Sequence, residues 1–353
     1  MRRLLAPIAL VMVFHAPPAF AQSAPIPTTI PEMWNAWCAR CHGRDGTGKP
    51  PDRPVPIEPL DFTDCRLATA EPDADWELAI SHGGPAVGLS SSMPAFGDVL
   101  TADQVRGFVR HLRGFCKETG WPIGNLNLPR PIFAEKAFPE NEFIIAPAVS
   151  HDPHDYTSFS LKAIYERRLG RRAQIEAVLP FESISRGERR NGLGDVELGL
   201  KYALTPRVAR FLLSAGTDVA FGTGQESDIA GTSGAVIEPY LAAATVVGSS
   251  YVQGQFKMEF PILDSWHSRA TVYHVYVGRD TSSSPSTWTL GLEFSGENRE
   301  LTLTPQIRKG LTRTGALGAA LGFAVPLNER NERGYLWVGY LLWEYLEPVL
   351  PRR

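Results

Sequence analysis

The chain has 353 residues, 43% of them hydrophobic and 21% charged, so it can bury a core and is not a disordered polyelectrolyte. Its 35 Lys and Arg against 38 Asp and Glu give a formal net charge of −3, which leaves no basic field to hold nucleic acid. Beyond the N-terminus no run approaches the ~18 uninterrupted apolar residues of a membrane-spanning helix, and all four cysteines lie at or before Cys116, which confines thiol chemistry to the first third.

Residues 1–21 have the make-up of an export signal. Arg2 and Arg3 give a positive start, Leu4 to Phe14 a short apolar run, and Ala19-Phe20-Ala21 a small-x-small cleavage site before Gln22. Pro17-Pro18 interrupts the run, which argues against a spanning helix. Export places the mature chain where disulfides form.

Residues 22–117 make the first expected domain. Cys38-Ala39-Arg40-Cys41-His42 is a C-x-x-C-H, the spacing at which two thiols form thioethers with one haem while the adjacent imidazole turns onto its iron. The expected cofactor is therefore one covalent haem c, bound through Cys38 and Cys41 and ligated by His42. Zinc requires four ligands, and no second Cys/His pair follows at suitable spacing. Pro31-Glu32 opens a helix carrying Trp34, Trp37 and the first cysteine, and Gly43, Gly46 and Gly48 allow tight turning beside a flat ring. Thr101-Ala-Asp103-Gln104 starts another helix, with Val105, Phe108, Val109 and Leu112 at helical spacing and Arg106, Arg110 and Arg113 on a solvated face.

The pattern Cys38-x-x-Cys41-His42-Gly43-x-x-Gly46-x-Gly48, with Met93-Pro94-Ala95-Phe96 leading into Leu100-Thr101-x-x-Gln104-Val105, resembles class I cytochromes c over residues 31–117. The resemblance implies a small all-α fold with His42 as proximal and Met93 as distal iron ligand. Met33 is too near the attachment site to reach the other haem face, and Met258 is remote; His82 and His111 remain as other candidates for the sixth position. With Cys38 and Cys41 taken by haem, Cys65 and Cys116 are expected to form a disulfide, two buried free thiols being the other possibility.

Residues 118–141, with Gly120, Pro122, Gly124, Pro129, Pro131 and Pro139, have the composition of an extended linker. From 142 to 353 helical periodicity gives way to alternation, as in Val196-Glu197-Leu198-Gly199-Leu200-Lys201-Tyr202 and Glu300-Leu301-Thr302-Leu303-Thr304. About twelve strands are expected, near 142–149, 155–169, 171–184, 192–204, 207–221, 233–246, 249–260, 267–279, 286–296, 299–311, 314–325 and 334–346. They are longer than the usual soluble strand. Tight connections at Gly170, Thr205-Pro206 and Gly248-Ser249 mostly alternate with longer polar ones at 185–191, 222–232 and 326–333, as in outer-membrane barrels. Trp337, Tyr340, Trp343 and Tyr345 suit interfacial girdles. The fold class is thus multi-domain α + β: a small all-α domain followed by an antiparallel transmembrane β-barrel.

The segment Gly192 to Tyr202, with Leu303-Thr304-Pro305-Gln306 and Leu341-Leu342-Trp343-Glu344, resembles outer-membrane proteins encoded alongside phenol-degradation pathways, a presumed transporter group. In a barrel, Gln174, Glu176, Asp195, Glu197, Lys201, Arg210, Gln253, Gln255, Lys257, Glu259, Glu293, Gln306 and Arg308 face the lumen, and their mixed signs imply a salt-bridged, largely filled interior. Ala316, Gly318, Ala320, Gly322 and Ala324 leave either a local gap or room for curvature.

His/Met ligation occupies both axial positions and favours one-electron transfer over catalysis, so no enzyme is expected. Twelve strands leave no room for a domain of this size, which places the haem outside the lumen. The leading expectation is a periplasmic electron-transfer head tethered to outer-membrane lipid by the barrel, exchanging electrons with periplasmic redox proteins and serving an extracellular route. The layout is similar to the cytochrome–porin fusions of iron-oxidising bacteria, whose cytochrome domain and larger barrel differ from this chain. The alternatives are an outer-membrane channel for small hydrophobic molecules with a redox-linked cytochrome domain, and a soluble periplasmic two-domain protein.

Overall fold

The computed structural model describes residues 27–50, 59–151, 157–186, 188–207, 211–224, 234–262, 268–282, 286–328 and 334–345. The expected export signal, Arg210 and the Asp152-Pro153-His154 stretch, whose sequence reads as an external loop, lie outside the described residues.

The helical unit begins with α1 (Ile30–Met33), which runs through a π-helical turn (Trp34–Cys38) into α2 (Ala39–His42). The Thr29 hydroxyl and Glu32 carboxylate cap α1 reciprocally, satisfying amide donors that a helix start otherwise leaves open. Then come α3 (Cys65–Ala70), α4 (Asp73–His82) and α5 (Ala102–Arg113), the last started by the expected capping box of Thr101 and Gln104. Val105, Phe108, Val109 and Leu112 of α5 close on Met33, Trp34, Phe62, Trp76 and Ile80 in one apolar core. The first helix packs directly on α5: a Cβ at Gly107 would stand 3.0 Å from Ile30 Cδ1.

Arg113 departs from the expected solvated face. It is 5% exposed, lies 4.2 Å over the Trp76 ring, bonds Asp73 at 2.6 Å and donates to the Ala68 and Glu71 carbonyls. The open carbonyls at the end of α3 draw it inward, and that demand comes from a different helix.

The barrel consists of β1 (Glu142–His151), β2 (Thr157–Leu169), β3 (Ala173–Arg186), β4 (Glu188–Leu193), β5 (Val196–Ala203), β6 (Leu212–Phe221), β7 (Ala235–Val247), β8 (Ser250–Ile262), β9 (Ala270–Asp280), β10 (Trp288–Glu297), β11 (Glu300–Gly310), β12 (Leu317–Pro326) and β13 (Tyr335–Glu344). Every pairing is antiparallel, and β1 closes the sheet on β13 through pairs from Glu142↔Glu344 to His151↔Tyr335. The thirteen segments make twelve staves. β4 pairs with the far half of β3 and β5 with its near half; they are one strand interrupted at Gly194-Asp195, where Gly194 N–H donates to the Pro180 carbonyl at 3.0 Å.

Two expected connections change. Residues 185–191 are not a polar loop: β3 and β4 continue as a paired hairpin to Arg186↔Glu188, and polar Arg189, Arg190 and Asn191 hide the strand because the alternation signal needs an apolar face. Conversely, the turn at Thr205-Pro206 is not tight, since β6 starts only at Leu212; Arg207 in this connection holds the helical unit, as described below.

Alternation runs as expected along the staves. Leu198, Leu200 and Tyr202 are 50–60% exposed on the outside, while the alternate residues Lys201 and Ala203 are buried inside. Outward Phe143, Leu179, Phe256, Val275, Leu290, Leu321 and Leu341 continue this apolar belt around the cylinder. Water would oppose such a surface, whereas lipid matches it. Trp343 at one rim and Tyr335 and Trp337 at the other also face outward, at the positions that suit membrane interfaces. Tyr340, expected in a girdle, instead turns into the lumen and donates to the Arg130 carbonyl at 2.7 Å.

Candidate functional site

The helical unit sits against the rim where β1 begins and β13 ends. Arg207 donates to the carbonyls of Glu118 (2.5 Å), Trp121 (3.0 Å) and Cys116 (3.4 Å), and Arg172 Nε reaches that of Gly120 at 3.3 Å. Arg171 pairs with Glu118 at 3.1 Å, and Arg168 lies over Trp121 at 5.4 Å. Four arginines from neighbouring strand ends and turns thus hold residues 116–121, Arg207 and Arg172 through backbone carbonyls, Arg171 through the Glu118 carboxylate and Arg168 over the Trp121 ring.

Cys65 and Cys116 form the expected disulfide, Cα–Cα 5.0 Å, packed with Trp121 and Ile123 beside that grip. The helical unit is therefore joined covalently to the point where the chain turns into the barrel.

Residues 118–141 still connect the two units without helix or strand, but they are not a spacer in solvent. They enter the barrel, reach about mid-height and return to Glu142. Leu126, Leu128, Ala137 and Phe138 pack against inward Ala203, Leu212, Tyr240, Ala242 and Ala244. The rest is polar. Arg130 Nη1 lies 2.6 Å from Glu166 and 3.1 Å from Glu142; Lys136 Nζ lies 2.7 Å from Glu142 and 2.6 Å from Asn127 Oδ1; Lys201 Nζ lies 3.1 Å from Glu135.

The tip is held by one side chain. Glu293, with no exposed surface, accepts the backbone N–H groups of Ile132 (3.1 Å), Phe133 (3.1 Å) and Ala134 (2.7 Å) and the Gln306 amide (2.8 Å). Phe133 stacks on His274 at a centroid distance of 5.9 Å. At Gly322 the segment packs directly on the wall: a Cβ there would lie 2.5 Å from Ile132 Cδ1. Of the small residues expected to give either a gap or curvature, Gly322 and Ala320 make room for Ile132 of the plug, while Gly318 faces Arg308.

Most of the expected lumen-facing set is in place. Gln174, Lys201, Gln253, Gln255, Glu293 and Gln306 are buried inward, and Gln174, Gln253 and Gln255 all bond the plug's backbone. The filled interior was legible in their mixed charge. That residues 123–141 fill it was not; the available signal was an unusual density of charge, Arg130, Glu135, Lys136 and Glu140, inside a Pro-rich stretch.

In the helical unit, Cys38 is partly buried and Cys41 exposed, both as free thiols. Trp37, Cys38, Met93 and Phe96 pack against the same apolar core, and His42 stands 5.3 Å from Phe62 and 5.9 Å from Trp34 between ring centroids. The Met93 segment is fastened along the end of α4, with Gly84 N–H donating to the Met93 carbonyl at 3.1 Å and Phe96 N–H to that of Ile80 at 2.9 Å. His42 Nδ1 is buried without a hydrogen-bond partner, and burial pushes the imidazole pKa down to about 4, so the ring is neutral with a lone pair to give. Burial, with Cys41 adjacent, pushes the Cys38 thiol up to about 12. Two free thiols, a neutral imidazole and a thioether around one apolar core fit the donor set a covalent haem requires. His82 is exposed and His111 half-buried, the latter 5.6 Å from the Trp34 ring.

No family model and no curated protein matches the chain. Among solved structures, 62% of the chain is similar to 99% of an outer membrane channel from Pseudomonas putida F1, at 12% identity and a TM-score of 0.47. A further 57% alignment covers 98% of the KdgM porin in complex with disordered oligogalacturonate, at 10% identity and 0.41. Outer membrane phospholipase A from Escherichia coli aligns with 58% of the chain over 97% of its own length, at 12% and 0.36. By its own closure, stave count and outer belt, the chain is an antiparallel twelve-stave β-barrel of the membrane-embedded type.

Proposed function

We propose that this chain is an outer-membrane channel protein held closed from one side by residues 123–141, with the helical unit carrying a redox group outside the lumen. The observation that carries this reading is how the plug is held. Only part of this segment packs through apolar side chains; it is seated at its tip by Glu293 and along its flanks by ion pairs to the wall. Water entering the lumen competes for such contacts, so the seal is releasable. The polar wall of Gln174, Lys201, Gln253, Gln255 and Gln306 suits hydrophilic solutes better than the small hydrophobic molecules expected from sequence. The test is conductance of the purified full chain in planar lipid bilayers: mostly closed traces are expected from the parent, and frequent openings once residues 126–137 are replaced by a shorter Gly/Ser stretch. Equal conductance from both proteins refutes the channel reading.

A second reading, one-electron transfer, is favoured by Cys38 and Met93 packing on one core, with His42 beside its Trp34 and Phe62 rings and Cys41 an exposed free thiol next to it in sequence, while Cys65 and Cys116 are already joined. A haem bound there supplies a one-electron iron couple, and Met ligation raises its potential. Cys38 and Cys41 would hold the group covalently, His42 would offer it a neutral imidazole nitrogen and Met93 a thioether sulfur. Periplasmic redox proteins are the fitting partners, and the role is that of a carrier. A haem-stained denaturing gel of separated outer membranes tests attachment and location together; a colourless band at the chain's mobility overturns this reading and leaves the channel standing.

A further inference from the structure

The plug's own contacts leave one part of the lumen unexplained. Glu166 of β2 and Glu176 of β3 are direct cross-strand partners, and Glu135 of the plug reaches the same place, so that one carboxylate oxygen from each lies within 4.8 Å of the others. Like charges opposite each other on paired strands repel. The neighbouring cations relieve this only at Glu135, whose two oxygens face Arg130 Nη2 at 3.7 Å and Lys201 Nζ at 3.1 Å. Arg130 Nη1 is shared between Glu166 Oε1 and Glu142, Lys136 serves Glu142 and Asn127, and Lys201 is taken by Glu135 Oε2 and the Lys136 carbonyl. Glu166 has no exposed surface, yet its second oxygen, Oε2, is buried without any donor. The Glu176 carboxylate makes no hydrogen bond or ion pair among the described residues. Asp218 of β6 stands beside it across Gly199, where a Cβ would lie 2.6 Å from Asp218 Oδ1 and 3.0 Å from Glu176 Cβ.

We infer that Glu135, Glu166 and Glu176 bind a hard divalent cation, calcium before magnesium. Such ions take oxygen ligands, and calcium accepts about six to eight in irregular arrangements completed by water, whereas magnesium requires a near-ideal octahedron. Carboxylates supplied by two strands and an irregular segment, with Arg130 and Lys201 alongside, cannot present that octahedron but do meet calcium's looser demand. One ligand belongs to the plug and two to the wall, so the ion ties the plug to the barrel. That consequence, though not the binding itself, rests on the channel reading.

The test uses the full chain in detergent, stripped with a chelator and titrated by calorimetry near neutral pH with calcium chloride, then separately with magnesium chloride. About one calcium per chain is expected, with magnesium roughly tenfold weaker. Glu176→Gln should weaken calcium uptake at least roughly tenfold while the barrel keeps its heat-modifiable mobility on gels. Glu135→Gln, which alters no strand, should do the same and covers the case in which Glu176→Gln fails to fold. Absence of saturable calcium uptake, or uptake unchanged in both variants, overturns the site and leaves a shared proton as the neutralising species. Conductance recorded with and without calcium separates the two ideas: uptake without any effect on openings keeps the site and removes its link to the plug, whereas plug-dependent conductance without uptake removes the site alone.

Discussion

Glu293 accepts the Ala134 backbone N–H at 2.7 Å across 159 residues of sequence, and the two neighbouring amides converge on the same carboxylate. A carboxylate that accepts several N–H bonds where water is scarce is held more firmly than any one bond suggests, at about 1.5–3 kcal/mol for each charged bond. Glu293→Gln replaces one acceptor oxygen by an amide that itself donates, setting donor against donor at the plug's tip. The variant should keep its barrel, because Glu293 takes part in the ladder through its backbone, and should open far more often in bilayer recordings than the parent. Closed traces indistinguishable from the parent would show that the tip contact does not govern closure.

The disulfide makes a separable prediction. Cys65 and Cys116 are 51 residues apart, and closing a loop of that length contributes about 4 kcal/mol by chain-entropy reasoning. Replacing both by serine should lower the unfolding temperature of the helical unit, followed by near-ultraviolet circular dichroism, while the barrel's own heat-modifiability stays as it was. Both transitions falling together would mean that the two units unfold as one.

How far these features were legible depends on where each partner lies in the sequence. The staves were readable because lipid-facing and lumen-facing residues alternate locally, as in Leu198 to Tyr202, and the disulfide because only two cysteines remained. The plug was not, because its partners Glu142, Glu166, Lys201 and Glu293 are scattered across the barrel and its proline content equals that of a solvent linker. Arg113 failed for the same reason: its partner Asp73 sits 40 residues earlier, so a helical wheel shows only a charge on a polar side. β4 was missed because Arg189, Arg190 and Asn191 lack an apolar row to report the strand.

The contact between helical unit and barrel should depend on pH through Glu71. Burial first, then the facing Glu344 carboxylate, push the Glu71 pKa up to about 7, with Arg113 opposing; burial, with Glu71 and Glu344 next, also raises Asp75 while Arg308 opposes. A carboxyl whose pKa is raised in the folded state favours that state below its unfolded value of 4.5, and this contribution is lost as pH rises through about 7. Between pH 5.5 and pH 8 the loss amounts to about 2 kcal/mol at most for Glu71. The helical unit should therefore melt at a lower temperature near pH 8 than near pH 5.5, and Glu71→Gln should flatten most of that difference. A parent protein equally stable at both values would rule out a raised Glu71 pKa in the folded state.

Met93 offers the most direct spectroscopic check of the haem proposal. Its segment is fastened by backbone hydrogen bonds to Gly84 and, through Phe96, to Ile80, so Met93→Ala removes the sulfur without freeing the strap that presents it. Haem should remain attached through Cys38 and Cys41, the far-red sulfur-to-iron band of the oxidised protein should vanish, and the potential should fall because a thioether no longer favours the reduced iron. Exogenous imidazole should then bind. Persistence of the band in Met93→Ala assigns the sulfur to another residue, whereas its loss without imidazole binding points to His111, whose ring already stands 5.6 Å from Trp34, as the group that moves in. His111→Ala in the Met93→Ala background should then restore imidazole binding, because nothing else in the half-buried end of α5 offers a nitrogen to the iron.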